Sequence, residues 1–425
     1  MAQTTNRKPI ASVSWGLVIL LAVSAFLNYI DRGNLSLAAP LLKDELKISP
    51  YQVGLLLSAF FWTYGTSQVL AGWLVDRFNA AWILAIGIAL WSGATVLTAF
   101  VHGFAALFAA RLILGIGESV AYPSYSNLLA RFVPEERRGT ANSMISAGLA
   151  LGPAFGTLAG GVVIARFGWR PFFVALGIIG FLWIVPWLVW MPRTKAGEPK
   201  ENIPPVIRPR LLELLTKRSV WGTCAGLFCN NYTLYFLVTW LPYYLLRERN
   251  FSQIAMAKIG GGVFLMMAIS ALLAGRVGDY WIRRGGTPTR ARKTFMALAG
   301  LFVGIFLLLC VIGGQAQCVV SLLLAGFFFG FGTANVWPIT QTLAGPRAAG
   351  NWTGFQCFVA NLSGVVAPAV TGYILQRTGH FFWAFAICSA LLLLGSLAWV
   401  FWVGPIEQVQ WRDSTEIPRL EAVAS

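Results

Sequence analysis

The sequence alternates long apolar runs with short polar connections over almost its whole length. Runs such as 15–30, 81–101 and 381–403 reach or approach the ~20 residues that an α-helix needs to cross the hydrocarbon core of a bilayer. Trp and Tyr are frequent where the runs end, which is where amphipathic rings settle at a membrane interface. The pattern predicts an all-α integral membrane protein with twelve transmembrane helices near residues 15–39, 50–73, 81–101, 104–130, 140–165, 170–191, 220–246, 255–280, 292–313, 318–343, 350–375 and 380–403.

The stretch 191–218 interrupts this alternation. It contains five prolines, seven Lys or Arg residues and no long apolar run, so it predicts a linker with a short surface helix around Leu211–Leu215. Six apolar runs precede the linker and six follow it. We therefore divide the chain into an N-terminal six-helix half (1–191), a linker (192–218), a C-terminal six-helix half (219–405) and a tail (406–425).

The two halves carry a weak internal repeat. Two short motifs recur at a common offset of 203 residues: Asn28-Tyr29 as Asn231-Tyr232, and Gly72…Asp76 as Gly275…Asp279. Chance matches would not be expected to share one offset, so a duplicated six-helix unit is the simplest cause. In transporters built from such repeats, the substrate binds near the bilayer midplane between the halves.

The composition also indicates a membrane protein. Hydrophobic residues make up 57% of the chain and charged residues 11%, whereas soluble proteins carry roughly a quarter charged residues. The net charge of +16 could suggest nucleic-acid binding, but most Lys and Arg fall in the tails and in the connections on one side. Because this asymmetry follows the positive-inside rule, we expect a lipid bilayer and no nucleic acid as partner. We expect a monomeric, multi-pass protein of the cell (inner) membrane with both termini and the linker cytoplasmic.

The sequence indicates neither a catalytic centre nor a cofactor. All six cysteines lie in or at apolar runs without metal-ligand spacing, so we interpret them as small buried hydrophobes and predict no metal site; the pattern does not imply periplasmic or extracellular disulfides. There is no Gly-x-x-x-x-Gly-Lys-Ser/Thr motif for ATP. The expected protein is not an enzyme.

The connection after the second run reads Gly72-Trp-Leu-Val-Asp76-Arg77-Phe78, and this motif resembles the signature loop of the major facilitator superfamily. A glycine permits close approach of two helices. Asp76 can cap a helix start and pair with Arg131 or Arg137, which would hold one access state closed. We assign gating to Gly72, Asp76, Arg77 and Arg131; the alternative is that these charges only set the topology.

Charged residues inside the predicted spans carry the sharpest functional information, because a charge in hydrocarbon is costly. Asp31 and Arg32 lie in the first run, and Arg111 and Glu118 lie seven residues apart on one face of the fourth. Arg32 keeps its charge and offers a bidentate fork to a carboxylate. A desolvated carboxyl such as Asp31 or Glu118 can take up protons near neutrality. The alternative is a structural ion-pair network within one half, for example Asp31 with Arg111.

The motif Asn28-Tyr-Ile-Asp-Arg32, with Tyr64, Arg111…Glu118 and Asn361-Leu-Ser-Gly-Val-Val-Ala-Pro368, resembles the anion:cation symporter family of the superfamily. The resemblance implies that Arg32, Tyr29 and Tyr64 contact a substrate carboxylate and that Asp31 and Glu118 exchange protons. It further implies that Asn361 lines the second-half side of the site. Gln341 and Gln356 are additional candidates for substrate contact.

Two positions depart from the sugar-acid carriers of that family. A polar amide is common midway along the fifth span, where this chain has Leu149, and an asparagine is common at the position of Cys357. Both changes make the predicted pocket less polar. They favour a less hydroxylated or aromatic acid over a polyhydroxylated one.

These observations predict proton-coupled uptake of an organic carboxylate anion by alternating access. A drug or metabolite efflux antiporter is the alternative, since the glycine-rich segment 148–161 is often interpreted as a mark of drug antiporters, although it also suits helix packing. The fixed charge of Arg32 argues against cationic drugs. The internal repeat argues against a channel or a receptor.

Overall fold

The computed structural model describes residues 15–48, 50–156, 160–191, 209 and 211–411, and the regular elements in this part of the chain are all helical. The α-helices are α1 (Trp15–Glu45), α2 (Pro50–Arg77), α3 (Ala80–Thr98), α4 (Phe104–Ser119), α5 (Ala121–Phe132), α6 (Glu135–Phe155), α7 (Gly161–Phe167), α8 (Trp169–Trp190), α9 (Leu211–Leu215), α10 (Arg218–Tyr243), α11 (Gln253–Arg283), α12 (Pro288–Ile312), α13 (Gln315–Thr378) and α14 (Phe382–Leu397). The all-α fold class predicted from the sequence is confirmed.

The helices fit the twelve predicted spans once three junctions are taken into account. The fourth span consists of α4 and α5, and the fifth of α6 and α7. The long α13 supplies two spans, because Gly345 has φ 63° and ψ 177° and reverses the chain there. The short α9 is the helix predicted in the linker; the rest of the linker, apart from residue 209, and both tails lie outside the described residues.

Eight helical stretches of the described chain are long and apolar enough to cross a membrane by length and composition alone. The helices α2, α6 and α10 are not among them. Two of these, α2 and α6, pack across the boundary between the halves, α2 against α13 and α6 against α11. Helices at this boundary are less lipid-exposed, which explains why they tolerate more polar residues than an isolated membrane span.

The fourth span, predicted near residues 104–130, is confirmed as one apolar stretch, Phe104–Phe132, which is interrupted at a single residue. Val120, between α4 and α5, has φ −79° and ψ −13°, so the helix is only locally distorted there. Pro123 accounts for the distortion, because its ring has no N–H to donate and collides with the carbonyl four residues earlier, which is that of Ser119.

The glycine-rich segment in α6 is a packing surface against α1. A Cβ atom on Gly148 would lie 2.5 Å from the carbonyl oxygen of Ala22, and one on Gly152 would lie 2.8 Å from that of Phe26. Only glycine allows two helix backbones to approach so closely. The structure therefore favours the packing interpretation of this motif.

Candidate functional site

The central feature of the first half is a buried ion pair between Arg32 of α1 and Glu118 of α4. Arg32 Nε donates to Glu118 Oε2 at 3.0 Å, and the side chain of Glu118 is fully buried while that of Arg32 is 15% exposed. Arg32 lies near the middle of α1, and Glu118 lies near the middle of the span Phe104–Phe132 that α4 and α5 form together, so the pair sits far from both ends of the bundle. The sequence predicted both charges but not that they pair with each other.

Three aromatic rings surround the guanidinium of Arg32. Its Cζ atom lies 4.5 Å from the ring centroid of Tyr29, 4.3 Å from that of Tyr64 and 5.3 Å from that of Phe60. The rings of Phe60 and Tyr64 are stacked at 4.9 Å. Cation–π attraction is strongest where water is excluded, so the rings hold the charge in place without neutralising it. Of the three, only Phe60 was missed by the sequence analysis, because a phenylalanine in an apolar run carries no distinguishing signal.

Several polar atoms at this site have no hydrogen-bond partner in the part of the chain that the structure describes. They are Arg32 Nη2, Glu118 Oε1 and Asn28 Nδ2, and all three are buried. Buried polar groups without a partner are rare and call for an explanation. Asn28 and Arg32 are four residues apart on one face of α1, so their two unpaired donors are suited to a small anion.

Asp31 points away from this ion pair toward α3. Its Oδ1 accepts a hydrogen bond from Thr95 Oγ1 at 3.0 Å, and the residue is 4% exposed. Arg111 is also buried, and its guanidinium lies 5.6 Å from the ring centroid of Phe60. The guanidinium of Arg32 contacts the same ring. Asp31 and Arg111 are close enough to interact electrostatically. The first half thus contains four charged groups in a continuous interior network.

The second half contributes neutral groups to the same region. Tyr235 donates through its hydroxyl to Asn361 Oδ1 at 2.7 Å, and Asn361 Nδ2 donates to Gln68 Oε1 of α2 at 2.9 Å. The ring of Tyr235 also contacts Phe61 of α2 edge-on, with centroids 6.2 Å apart. Cys357 packs among the core residues of the first half, which include Tyr64. Its thiol therefore forms part of the wall that faces Arg32.

The two halves also meet in a polar layer that lies between the Arg32–Glu118 ion pair and the ends of α2 and α11. Tyr122 and Trp337 contact each other across the halves at 5.1 Å between centroids. Asn142 and Gln341 form a reciprocal amide pair, with N···O distances of 2.9 and 3.0 Å. The crevice between these residues has no room for a water molecule. This layer closes the site on that side.

The two predicted glutamines therefore occupy different environments. Gln341 belongs to the closing layer through its pair with Asn142. Gln356 is fully buried, accepts from Thr340 Oγ1 at 2.8 Å and donates to the carbonyl of Thr223 at 3.2 Å. Both partners of Gln356 belong to the second half, so the structure does not bring this side chain together with Arg32.

The repeated Asp76 and Asp279 hold the halves together at one end, and we call these two contacts the latches. Asp76 accepts from the backbone N–H groups of Gly350 (2.9 Å) and Asn351 (2.7 Å) in the second half. Asp279 accepts from Gly139 N (3.0 Å) and from Thr140 N (2.6 Å) in the first half. Each carboxylate therefore binds the backbone of the opposite half.

Within its own half, each latch carboxylate has a further partner. Asn127 donates to Asp76 at 2.7 Å, and Arg292 donates to Asp279 at 3.0 Å. Arg131 interacts with Asp76 electrostatically, while the guanidinium of Arg77 lies 5.8 Å from the ring of Trp73. Asn127 was not predicted, because a neutral amide in a helix gives no sign of a partner 51 residues away.

The glycines of the repeat make these contacts possible. A Cβ atom on Gly72 would lie 2.6 Å from the carbonyl oxygen of Gly350, and one on Gly275 would lie 2.5 Å from that of Gly139. Both distances are too short for any side chain. The two latches therefore occupy equivalent positions in the repeat, form the same kind of hydrogen bond and have the same close packing at a glycine.

Comparison with known proteins agrees with this architecture. The Major Facilitator Superfamily domain matches residues 21–368. The chain is 30% identical over 408 residues to a hexuronate transporter of Bacillus subtilis, covering 92% of this chain and 94% of that protein. It is 29% identical over 413 residues to a probable sulfoacetate transporter of Cupriavidus necator, covering 93% and 94%.

A solved structure shares the fold. The superfamily's proton:xylose symporter, bound to 6-bromo-6-deoxy-D-glucose, superposes with a TM-score of 0.74 over 92% of this chain and 96% of that one, at 15% identity. Its likeness concerns the fold alone. Together with the domain match and the anion-transporter relatives, the twelve-span architecture establishes that this chain is a membrane transporter of the major facilitator superfamily, as its sequence predicted.

Proposed function

We propose that the protein takes up an organic carboxylate together with protons by alternating access. The observation that carries this proposal is the buried ion pair of Arg32 and Glu118, in which one guanidinium nitrogen and one carboxylate oxygen have no partner in the described chain. The relatives of this chain are named as transporters of hexuronate and of sulfoacetate, which are both organic acids.

Arg32 is the proposed anion site. Its Nη2 is available to a ligand, while Nε is held by Glu118 and the flat guanidinium is held by the rings of Tyr29 and Tyr64. A charge-assisted hydrogen bond to a carboxylate is roughly twice as strong as a neutral one. Asn28 Nδ2 is a second candidate donor for the same ligand.

Proton coupling follows from the competition for Arg32. When a substrate carboxylate binds, two negative groups share one guanidinium in a site with little water. Like charges in such a site disfavour each other, so the substrate promotes protonation of Glu118. The protonated Glu118 releases Arg32 Nε to the substrate, and its proton crosses with the anion. Asp31, hydrogen bonded by Thr95, is the second candidate carboxyl.

The uncharged side chains that line the site indicate which class of substrate it suits. Cys357 and the partly buried Leu149 take the places where polar amides were expected in a sugar-acid carrier. The rings around Arg32 add flat apolar surface. We therefore propose a substrate with few hydroxyl groups, such as an aromatic or short aliphatic acid, over a polyhydroxylated sugar acid.

The proposed orientation places the latches on the cytoplasmic side of the cell membrane. The latch loops lie next to many of the exposed Lys and Arg residues of the chain, including Arg77, Arg283 and Arg284. Basic residues favour the cytoplasmic side. In this orientation the latched state is closed to the cytoplasm, and substrate would enter from outside.

The test is uptake of labelled acids into proteoliposomes under an imposed pH gradient, with one aromatic acid, one short aliphatic acid and one sugar acid. We expect gradient-dependent accumulation, with the aromatic or aliphatic acid preferred. The variant Cys357→Asn restores the missing amide and should shift the preference toward the sugar acid, while Cys388→Asn in the second-half core serves as the matched control. Accumulation of none of the acids, or accumulation that ignores the pH gradient, would reject the proposal.

A further inference from the structure

Two cysteines meet at the end of the second half that lies opposite the latches. Cys310 is in the last turn of α12, and Cys318 is in the first turn of α13, with Gly313 and Gly314 forming the connection. Both thiols are free and fully buried, and their Sγ atoms are 3.3 Å apart. A disulfide has an S–S distance of about 2.05 Å, so an approach of about 1.2 Å would bring the two atoms to bonding distance.

The surroundings of this pair are suited to thiol chemistry. The hydroxyl of Tyr244 lies 3.7 Å from Cys310 Sγ and 4.0 Å from Cys318 Sγ. Arg249 Nε donates to that hydroxyl at 2.5 Å. The thiolate is the reactive form of cysteine, and a nearby positive charge stabilises it. Arg249 therefore supplies a positive charge next to the sulfur atoms through one intervening hydroxyl.

Arg249 is itself held in a fixed position by the end of α12. Its Nη2 donates to the carbonyl oxygens of Cys310 (2.5 Å) and Val311 (2.7 Å), and its Nη1 donates to that of Gly313 (2.7 Å). The carbonyls of Cys310 and Val311 are among the last four of the helix, which have no partners within it, and that of Gly313 follows directly after its end. The same contact thus caps α12 and fixes the backbone that carries Cys310.

We propose that Cys310 and Cys318 form a reversible intramolecular disulfide, a modification site separate from the transport site. The oxidant is an external disulfide, which reaches the buried thiols by local opening of the exposed connection between α12 and α13. One thiolate attacks a sulfur atom of that disulfide and expels one external thiolate. The second thiolate then attacks the mixed disulfide and expels the other. The Cys310–Cys318 bond forms, the external disulfide is reduced to two thiols, and those thiols take up the two protons.

The other cysteines provide an internal comparison. All six lie in the described residues, and Cys310 with Cys318 is the one pair among them whose sulfur atoms are in contact. In the orientation proposed above, this pair faces the outer compartment, where disulfides persist. The bond would join the ends of α12 and α13 and, through Tyr244 and Arg249, restrain the outer end of α10.

The test is a thiol map of the full-length protein. Membranes are quenched in acid, the protein is denatured and alkylated with N-ethylmaleimide, and its peptides are identified by mass spectrometry. A second sample is treated with diamide before the quench. We expect one peptide that carries both Cys310 and Cys318 linked by their disulfide, without N-ethylmaleimide and lighter by two hydrogen atoms than the reduced peptide, in at least one sample, and its loss after reduction with dithiothreitol. The other four cysteines should be alkylated singly.

Two variants keep this test decisive. In Cys310→Ser the linked peptide should vanish and Cys318 should become alkylated, whereas in Cys388→Ser the Cys310–Cys318 link should persist. Alkylation of both Cys310 and Cys318 in every wild-type sample, including the one treated with diamide, would overturn the proposal. A link between any other two cysteines would overturn it as well. Transport activity is not needed for either result, so failure here leaves the proposed function untouched.

Discussion

The two repeats differ most at the level of the central site. Residues 28–32 of α1 read Asn-Tyr-Ile-Asp-Arg, and residues 231–235 of α10, at the same offset of 203, read Asn-Tyr-Thr-Leu-Tyr. Arg32 corresponds to Tyr235 in this alignment. Arg32 forms an ion pair with Glu118, whereas Tyr235 donates to the neutral amide of Asn361. One duplicated position thus carries a charge in one half and a hydroxyl in the other.

The distribution of buried charge extends this difference. Within the described chain, the first half buries Asp31, Arg111 and Glu118 near its centre. The buried charges of the second half are Asp279 and Arg292, and both belong to its latch. The comparison teaches that the halves are alike where they close and unlike where the substrate is proposed to bind. We infer that the first half handles charge and that the second half provides neutral contacts.

The largest effect is expected at Arg32. Arg32→Lys retains the positive charge but removes the planar fork, which should weaken carboxylate binding by about 1.5–3 kcal/mol, the size of a charged hydrogen bond. This loss corresponds to roughly a 10- to 150-fold higher Kd by calorimetry on purified protein. Tyr235→Phe, the matched change at the equivalent position of the other half, removes one neutral hydrogen bond and should cost about 1 kcal/mol.

Equal losses in the two variants would break the comparison, because they would mean that both halves contribute alike to anion binding. Unchanged affinity in Arg32→Lys would remove Arg32 from the site altogether. Thermal unfolding of both variants in detergent is the control, since a misfolded protein would also lose binding.

The latches should respond symmetrically. Gly72→Ala and Gly275→Ala each introduce a Cβ atom within 2.6 Å of a carbonyl oxygen of the opposite half. Overpacking costs about 1–3 kcal/mol, and here it acts on the latched state alone. Transport should slow by roughly 5- to 150-fold in both variants, while ligand affinity changes little.

The matched control for the latches is Gly93→Ala in α3, because a Cβ atom there meets no atom closer than 3.8 Å. The measurement is the initial rate of counterflow in proteoliposomes. If only one latch variant slowed transport, the symmetry of the two contacts would have no functional meaning.

The sequence was sufficient for the architecture. The lengths of the apolar runs, and their alternation with polar connections, predicted every span. The common offset of 203 residues revealed the duplication. The placement of Tyr29 and Tyr64 beside Arg32 was also anticipated, Tyr29 through its spacing along α1 and both through the family resemblance. These features depend on local pattern or on a motif, which a single sequence carries.

The sequence did not predict which residues of different helices contact each other. Glu118 interacts with Arg111 on its own span, but its ion pair with Arg32 was not predicted. Gln356 was expected at the site, but it bonds Thr223 and Thr340. Each of these outcomes depends on how a helix is rotated about its axis.

A smaller effect is expected at the ends of the halves opposite the latches, where Glu45 and Glu248 occupy equivalent positions at the offset of 203 residues. Glu45 accepts from Trp169 Nε1 at 2.6 Å and pairs with Arg170 at 2.9 Å. These donors hold the pKa of the Glu45 carboxyl below its ordinary value. Glu45→Gln should lower stability by about 0.2–1 kcal/mol, because the pair is half exposed.

The sign of the pH dependence follows from that lowered pKa. The stabilisation that Glu45 contributes is present above the ordinary glutamate pKa of about 4.3. It is lost as the pH falls through the pKa of Glu45 in the folded protein. Wild type and Glu45→Gln should therefore unfold at different temperatures at pH 7 and converge in acid. Glu248→Gln should differ less from wild type, because an amide oxygen can still accept from Phe381 N. A difference that persists in acid would contradict this account.

The central claim is that Glu118 exchanges the coupled proton. Glu118→Gln fixes this side chain in a neutral form and removes the competing negative charge beside Arg32. Substrate should still bind, and counterflow exchange should survive because exchange requires no net proton release. Accumulation driven by a pH gradient should disappear, since the empty carrier can no longer return after losing a proton.

The most direct measurement is therefore ligand binding and gradient-driven uptake on the same purified Glu118→Gln protein. The account predicts retained or tighter binding with no accumulation above equilibrium. A purely structural Glu118 would instead lose binding, exchange and accumulation together. Accumulation at the wild-type level in Glu118→Gln would contradict the claim and transfer the coupling role to Asp31.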